Sequence, residues 1–378
     1  MQAVIMAGGR GQRLQPLTLT RPKPLVPFFG RPLLAGLVDA LARQGVDEVF
    51  ITAGHLGGQI HDFVSTLRGD REAAVPGVEG GAGLWPRLHV AVEERPRGTA
   101  GAVADLLPRL RSPFAVLSGD AVLDIDLSAL ERTHREGGHV ATLCLAPTDE
   151  RLRFGTVALD GHRIVRFLEK PALGELAPGL GVNTGCYVLE REALDGVDPS
   201  GSVDFAYDVF PRLLHAGSPL GAEVAARYWR DIGTLDAYRA THFEGLAGAM
   251  PWPVPGSAAA PQGVSRETLE GLVHFGEAIR IGRGARLIGP TVLGEGCRVG
   301  DGATVARSVL LRGSQVGREA SVVDCVLDEG ASIPAGWHLS QAGVAGHAGL
   351  GILPRTVRRR LATAYAAPTP EWAARAGG

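Results

Sequence analysis

Through the first 120 residues, short apolar runs alternate with stretches of helical period. Residues 3–7 form a continuous apolar run, as expected of a strand buried on both faces. Residues 33–44 place Leu34, Leu37, Val38 and Leu41 at helical spacing. A strand is predicted at 48–53, a helix at 59–67, a strand at 88–93, a helix at 100–107 and a strand at 114–117, ending in Ser118-Gly119-Asp120. This alternation predicts an α/β domain with a mostly parallel sheet and helices on both faces. Ligands of such sheets bind beyond the carboxyl ends of the strands. The Gly/Ala/Pro-rich stretch 71–86 has no period and reads as a surface loop or arm.

The pattern changes after residue 249. Residues 249–272 are rich in proline and glycine and read as a linker. From there Ile281, Leu287, Leu293, Val299 and Val305 recur every six residues, and Gly282, Gly294 and Gly300 follow three of them. The phase slips and resumes at Val316 and Val322. Such a hexapeptide period predicts a short left-handed parallel β-helix over 273–337, with the aliphatic positions stacked inside. The expected organisation is therefore 1–248, a linker 249–272, the coil 273–337 and a tail 338–378. Arg355, Arg358, Arg359 and Arg360 in that tail read as a solvated helix face.

Composition narrows the class. The chain has 378 residues, 45% of them hydrophobic, and a formal net charge of −2. That balance gives no electrostatic footprint for nucleic acid, and no apolar run is long enough to suggest a membrane span. Cys144, Cys186, Cys297 and Cys325 lack zinc-ligand spacing, and no secretory signal precedes them. They read as reduced, buried thiols of a cytoplasmic protein.

The chemistry is concentrated where the first strand ends. Ala7-Gly8-Gly9-Arg10-Gly11-Gln12-Arg13 is followed by Pro22-Lys23-Pro24. Glycines let backbone N–H groups approach an anion closely, and Arg13 and Lys23 can neutralise a polyphosphate held there. The spacing matches neither the dinucleotide fingerprint nor the Walker loop.

Together with Gly98-Thr99-Ala100-Gly101-Ala102, Leu117-Ser118-Gly119-Asp120, Phe167-Leu168-Glu169-Lys170-Pro171, Val182-Asn183-Thr184-Gly185 and Trp229-Arg230-Asp231-Ile232-Gly233-Thr234, this loop resembles the sugar-1-phosphate nucleotidylyltransferases. The blocks follow the family's order over roughly two-thirds of the chain. The lysine block and the Gly98 block look most like the mannose-1-phosphate guanylyltransferase branch. The resemblance implies a Rossmann-like nucleotide-diphospho-sugar transferase fold. It also implies transfer of a nucleoside monophosphate from a nucleoside triphosphate to a sugar-1-phosphate, with release of pyrophosphate.

By resemblance, Ala7, Gly8, Gly9, Gly11, Gly98 and Thr99 hold the nucleotide, and Arg13 and Lys23 act on the triphosphate. Gly155, Glu169, Lys170 and Asn183 bind the sugar phosphate, and Asp120 and Asp231 bind Mg²⁺. Magnesium prefers one or two carboxylates plus phosphate oxygens, which suits such a pair. Glu93 stands where the family faces the nucleobase edge. An ionised carboxylate only accepts hydrogen bonds. Guanine offers it two adjacent donors, whereas uracil and thymine offer one N–H flanked by carbonyls. An outward-facing Glu93 would leave the base open among guanine, uracil, thymine and adenine. Glucose-1-phosphate with UTP, dTTP or ATP is the alternative substrate set. A non-catalytic regulatory subunit should have lost one of the charged residues, yet all are present. An acyltransferase coil would need a catalytic base, and His274 and His338 lie only at the coil's ends. The coil is expected to be structural and to assemble a homo-oligomer.

Overall fold

The computed structural model describes residues 1–73, 85–146, 154–168, 181–198, 200–258, 260–261, 264 and 268–346. The chain divides into two compact units. The first comprises Met1–Leu14, Thr18–Ala237 and Met250–Trp252, and the second Gln15–Leu17, Tyr238–Ala249 and Pro253–Gly378.

In the first unit the elements run β1 (Gln2–Ala7), α1 (Leu33–Arg43), β2 (Glu48–Ala53), α2 (Gly57–Ala73), β3 (Arg87–Val92), α3 (Gly98–Ala104), β4 (Phe114–Ser118), β5 (Ala121–Ile125), α4 (Leu127–Glu136), β6 (Ala141–Ala146), β7 (Thr156–Asp160), β8 (Arg163–Leu168), β9 (Gly181–Leu189), α5 (Phe210–His215), β10 (Leu220–Glu223) and β11 (Ala226–Asp231). Helix α6 (Leu235–Leu246) follows, and its residues from Tyr238 on group with the second unit. Among the described residues, nine strands form one sheet in the order β3-β2-β1-β4-β9-β6-β10-β8-β7. The first four are parallel, in the register Val4↔Phe50 and Val4↔Val116. Beyond β4 the sheet turns mixed, because β9 runs antiparallel to both β4 and β6. The expected mostly parallel sheet therefore holds only for the half that carries the glycine loop.

Continuous apolar runs fill that half because both faces are covered. Ala3, Val4 and Ile5 in β1 and Ala115, Val116 and Leu117 in β4 are fully buried. Leu33, Leu34, Leu37, Val38 and Leu41 form the buried stripe of α1. A separate two-stranded ribbon pairs β5 with β11, Ala121 opposite Asp231 and Leu123 opposite Trp229.

The second unit holds three parallel sheets whose strands recur in turn along the chain, from Leu269–Glu270 to Gly343–Val344. This is a parallel β-helix, and it takes in residues read from sequence as linker and tail. Leu287, Leu293, Val299, Val305, Val316 and Val322 all lie in its core. The slip in the hexapeptide phase has a structural cause. From Val305 to Leu310, from Val322 to Leu327 and from Leu339 to Val344 the spacing is five, and each shortened corner carries a non-glycine residue at positive φ: Arg307 (45°), Asp324 (53°) and Gln341 (52°). Arg307 grips Asp324 in the next coil through two bonds of 3.0 and 2.9 Å, which helps hold that backbone.

One proline-flanked residue departs from the linker reading. Trp252 is only 7% exposed and is packed within the first unit. The four cysteines are free and buried. Burial pushes the Cys144 and Cys297 thiols up to about 12 and Cys325 up to about 11, as for unreactive core thiols. Among the described residues no helix is long and apolar enough to cross a membrane. Of the 71–86 stretch, read from sequence as a loop, residues 71–73 are the last of α2 and residues 74–84 lie outside the described residues, as do the arginines of the tail.

Candidate active site

A cleft of about 840 Å³ opens at the carboxyl ends of β1, β3 and β4. Its walls include Ala7, Gly8, Gly9, Gly11, Arg13, Lys23, Glu93, Gly98, Thr99 and Asp120. A second cavity of about 490 Å³ adjoins it, lined by Gly155, Asn183, Tyr187, Tyr207, Trp229 and Asp231. Met6, Arg13, Thr99, Ser118, Asp120 and Asp204 line both, so the two form one continuous site.

The glycine loop is shaped by close approach. A Cβ on Gly8 would lie 2.6 Å from Glu93 Oε1, so a larger residue there would make that carboxylate move from its present position. The other Glu93 oxygen accepts from the Arg97 backbone N–H at 3.0 Å. Glu93 thus faces into the cleft. Arg97 is buried and fixes the loop, making a two-pronged pair with Asp105 (2.9 and 3.1 Å) and donating to the Asp198 and Gly201 carbonyls.

Four charged groups converge at the junction of the cavities. Lys23, buried in a turn between two prolines, places Nζ 2.8 Å from Asp120 Oδ2 and 3.3 Å from Asp231 Oδ1. Arg13 Nη2 lies 3.8 Å from the second Asp231 oxygen. Ser118 donates to Asp120 Oδ1 at 2.5 Å. Burial works to raise the Asp120 pKa, but the Lys23 charge and hydrogen bond, the Ser118 hydroxyl and Arg13 outweigh it. The carboxyl is held below its ordinary value.

The two aspartates point at one Nζ, so their donor set also converges on one place. Among the described residues no three metal-ligating side chains cluster. Two carboxylates opening onto these cavities nevertheless fit Mg²⁺, which draws its remaining ligands from phosphate and water.

The second cavity is built on a bulge in β9. Asn183 Oδ1 accepts from the Gly185 N–H at 3.0 Å, its Nδ2 donates to Tyr187 Oη at 3.3 Å, and its backbone N–H donates to the Gly155 carbonyl at 2.8 Å. Phe154 meets Trp229 edge-on, and Trp229 Nε1 donates to the Thr184 carbonyl. Glu169 and Lys170 lie outside the described residues. Nothing in the sequence pattern marks Asp204 as a site residue. It accepts from Thr99 Oγ1 at 2.8 Å and from the Ala206 and Tyr207 N–H groups. It thereby ties the Gly98-Thr99 turn to the wall that carries Tyr207. An aspartate heading a helical run is a recognisable cap signal, but its reach back to Thr99 is tertiary.

The model of the nucleotidyl transferase family matches residues 2–246. The chain belongs to that family. A GlmU-like C-terminal hexapeptide model matches residues 266–344 of this nucleotidyltransferase. It is 33% identical over 321 residues to mannose-1-phosphate guanylyltransferase of Mycobacterium tuberculosis, covering 84% of this chain and 81% of that one. It is 30% identical over 360 residues to UTP–glucose-1-phosphate uridylyltransferase of Synechocystis, covering 88% and 90%. Among solved structures, HddC from Yersinia pseudotuberculosis, in a crystal structure complexed with GMP-PN, shares the fold. Its TM-score is 0.51 at 24% identity, covering 63% of this chain and 96% of that one.

Proposed function

We propose that this sugar-1-phosphate nucleotidylyltransferase uses GTP and mannose-1-phosphate, forming GDP-mannose and pyrophosphate. Residues 1–248 carry the reaction. The observation that carries the base assignment is Glu93: its carboxylate lies against Gly8 inside the larger cavity. It can accept from the adjacent N1–H and N2–H₂ of guanine, whereas a uracil edge would set carbonyl oxygens against it.

The incoming group is a sugar phosphate oxygen, already an anion at neutral pH. The barrier is therefore one of holding several negative charges together in line. Backbone donors of the Gly8–Gly11 turn cradle the triphosphate. Arg13 and Lys23 offset the charge that develops on departing pyrophosphate. Asn183 and the backbone at Gly155 orient the sugar phosphate, together with Glu169 and Lys170. Asp120 and Asp231 would hold Mg²⁺, which when bound supplies compact positive charge at the phosphate oxygens. The β-helix serves as an oligomerising coil. His274 is buried in it, which suits packing better than acyl-transfer base chemistry.

A second reading, glucose-1-phosphate with UTP, is favoured by the Synechocystis relative. Glu93→Gln separates the two. A glutamine presents a donor as well as an acceptor, so the GTP-over-UTP ratio of kcat/KM should fall by about tenfold to a hundredfold, one bidentate contact's worth of discrimination. An unchanged ratio would remove the basis of the guanine assignment.

A further inference from the structure

We propose that Trp252 is a positioning residue for the Lys23, Asp120 and Asp231 cluster. It lines neither cavity of the site. Its indole instead touches residues that flank Lys23 and Asp120 and, through Leu123, the strand that pairs with the one ending at Asp231. Nε1 donates to the Leu123 carbonyl at 2.8 Å. Leu123 lies three residues after Asp120 and pairs with Trp229, two residues before Asp231. The ring meets Phe28, five residues after Lys23, edge-on at 6.4 Å. Against α1 the fit is tighter: a Cβ on Gly36 would lie 2.4 Å from the indole Cζ3. Helix α1 itself packs on both the Lys23–Leu25 turn and β5.

The ribbon of β5 and β11 needs such a support. It has two strands among the described residues, and a two-stranded ribbon is marginal without packing on one face. Helix α1 and β6 pack on the ribbon as well, but the residue that hydrogen-bonds to β5 from outside the sheets arrives by an unusual route. Met250–Trp252 group with the first unit, while Tyr238–Ala249 before them and the chain from Pro253 after them group with the second. Pro251 and Pro253 restrict the backbone on either side, so little conformational entropy is lost in presenting the ring.

The inference rests on the reading of Lys23, Asp120 and Asp231 as the reacting-end groups. It does not depend on which base or sugar is used. The test is steady-state kinetics on the full chain, with whichever substrate pair it turns over, for Trp252→Phe, Trp252→Leu, Gly36→Ala and Gly36→Ala/Trp252→Leu. Misplacing the cluster should lower kcat about tenfold to a hundredfold. It should also raise the Mg²⁺ concentration for half-maximal rate several-fold, with the KM for nucleotide within twofold. Trp252→Phe, which keeps a ring but loses the N–H, should fall between the parent and Trp252→Leu. Gly36→Ala should show the same split, because its Cβ displaces the ring. The double variant should be no worse than Trp252→Leu, since no ring remains to displace. Lowered thermal stability with kcat and Mg²⁺ dependence unchanged would overturn the proposal and leave Trp252 a packing residue. Multiplicative losses in the double variant would overturn it as well. The underlying reading fails separately, if Lys23→Met retains the parental kcat.

Discussion

Replacing Lys23 by methionine keeps most of its apolar stem and removes the cation that joins two carboxylates. Its Nζ lies 2.8 Å from Asp120 and 3.3 Å from Asp231. At an effective dielectric constant of about 20, each contact has a gross Coulomb energy of roughly 5–6 kcal/mol. Desolvation of the buried ammonium offsets much of that, and the Asp120 side chain is 41% exposed, so solvent screens it further. A net loss of about 1–3 kcal/mol remains, which at about 2–4 °C per kcal/mol lowers Tm by several degrees in EDTA. Arg13, at 3.8 Å from Asp231, stays in place and limits the damage. Mg²⁺ should raise Tm more in Lys23→Met than in the parent, because a cation bound only by the folded state takes over the lost neutralisation. In pyrophosphate release, kcat should fall about 10²–10³-fold, the usual effect of removing one preorganised group that stabilises developing charge. A kcat within threefold of the parent would refute the reasoning. So would an unchanged Tm in EDTA.

Two further outcomes follow from single positions. Gly8→Ala should raise the KM for nucleotide at least tenfold with the fold intact, because its Cβ would sit 2.6 Å from Glu93 Oε1 and push that carboxylate out of place; a parental KM in steady-state assays would show that the contact is not needed. His242 is fully buried and burial drops its pKa to about 3, the Tyr238 carbonyl opposing and His274 adding to the drop. Above pH 6.5 the residue is neutral in both states; below it the unfolded chain takes up a proton that the folded chain refuses, so stability falls toward pH 3, by about 2 kcal/mol between neutral pH and pH 5. Urea unfolding of His242→Asn at pH 7 and pH 5 should show a shallower pH dependence than the parent, and equal slopes would contradict this.

The parts of this fold that depend on local pattern were legible in the chain. The run from Ala3 to Ala7 and the helical spacing of Leu34, Leu37, Val38 and Leu41 correspond to β1 and α1, because burial on one or both faces leaves a periodic trace. The hexapeptide aliphatics appear in the coil core for the same reason. The shortened corners were visible only as a broken phase. Nothing in Arg307, Asp324 or Gln341 announces a left-handed backbone; the register of adjacent coils imposes it. The convergence of Lys23, Asp120 and Asp231 joins residues 97 and 208 positions apart, and resemblance rather than spacing brought them together. Trp252 shows the opposite error. Prolines on both sides suggest a linker, while its burial depends on Gly36 and on a ribbon that no local pattern reveals. Asp204 stayed hidden because its link to Thr99 crosses 105 positions.

The most direct test of the account is pyrophosphate release in Mg²⁺ over GTP, ATP, UTP and dTTP, each with mannose-1-phosphate and with glucose-1-phosphate. Turnover concentrated on GTP with mannose-1-phosphate is the predicted result. Preference for UTP with glucose-1-phosphate would contradict the base assignment built on Glu93 and leave the charge cluster at Lys23 as the shared chemistry.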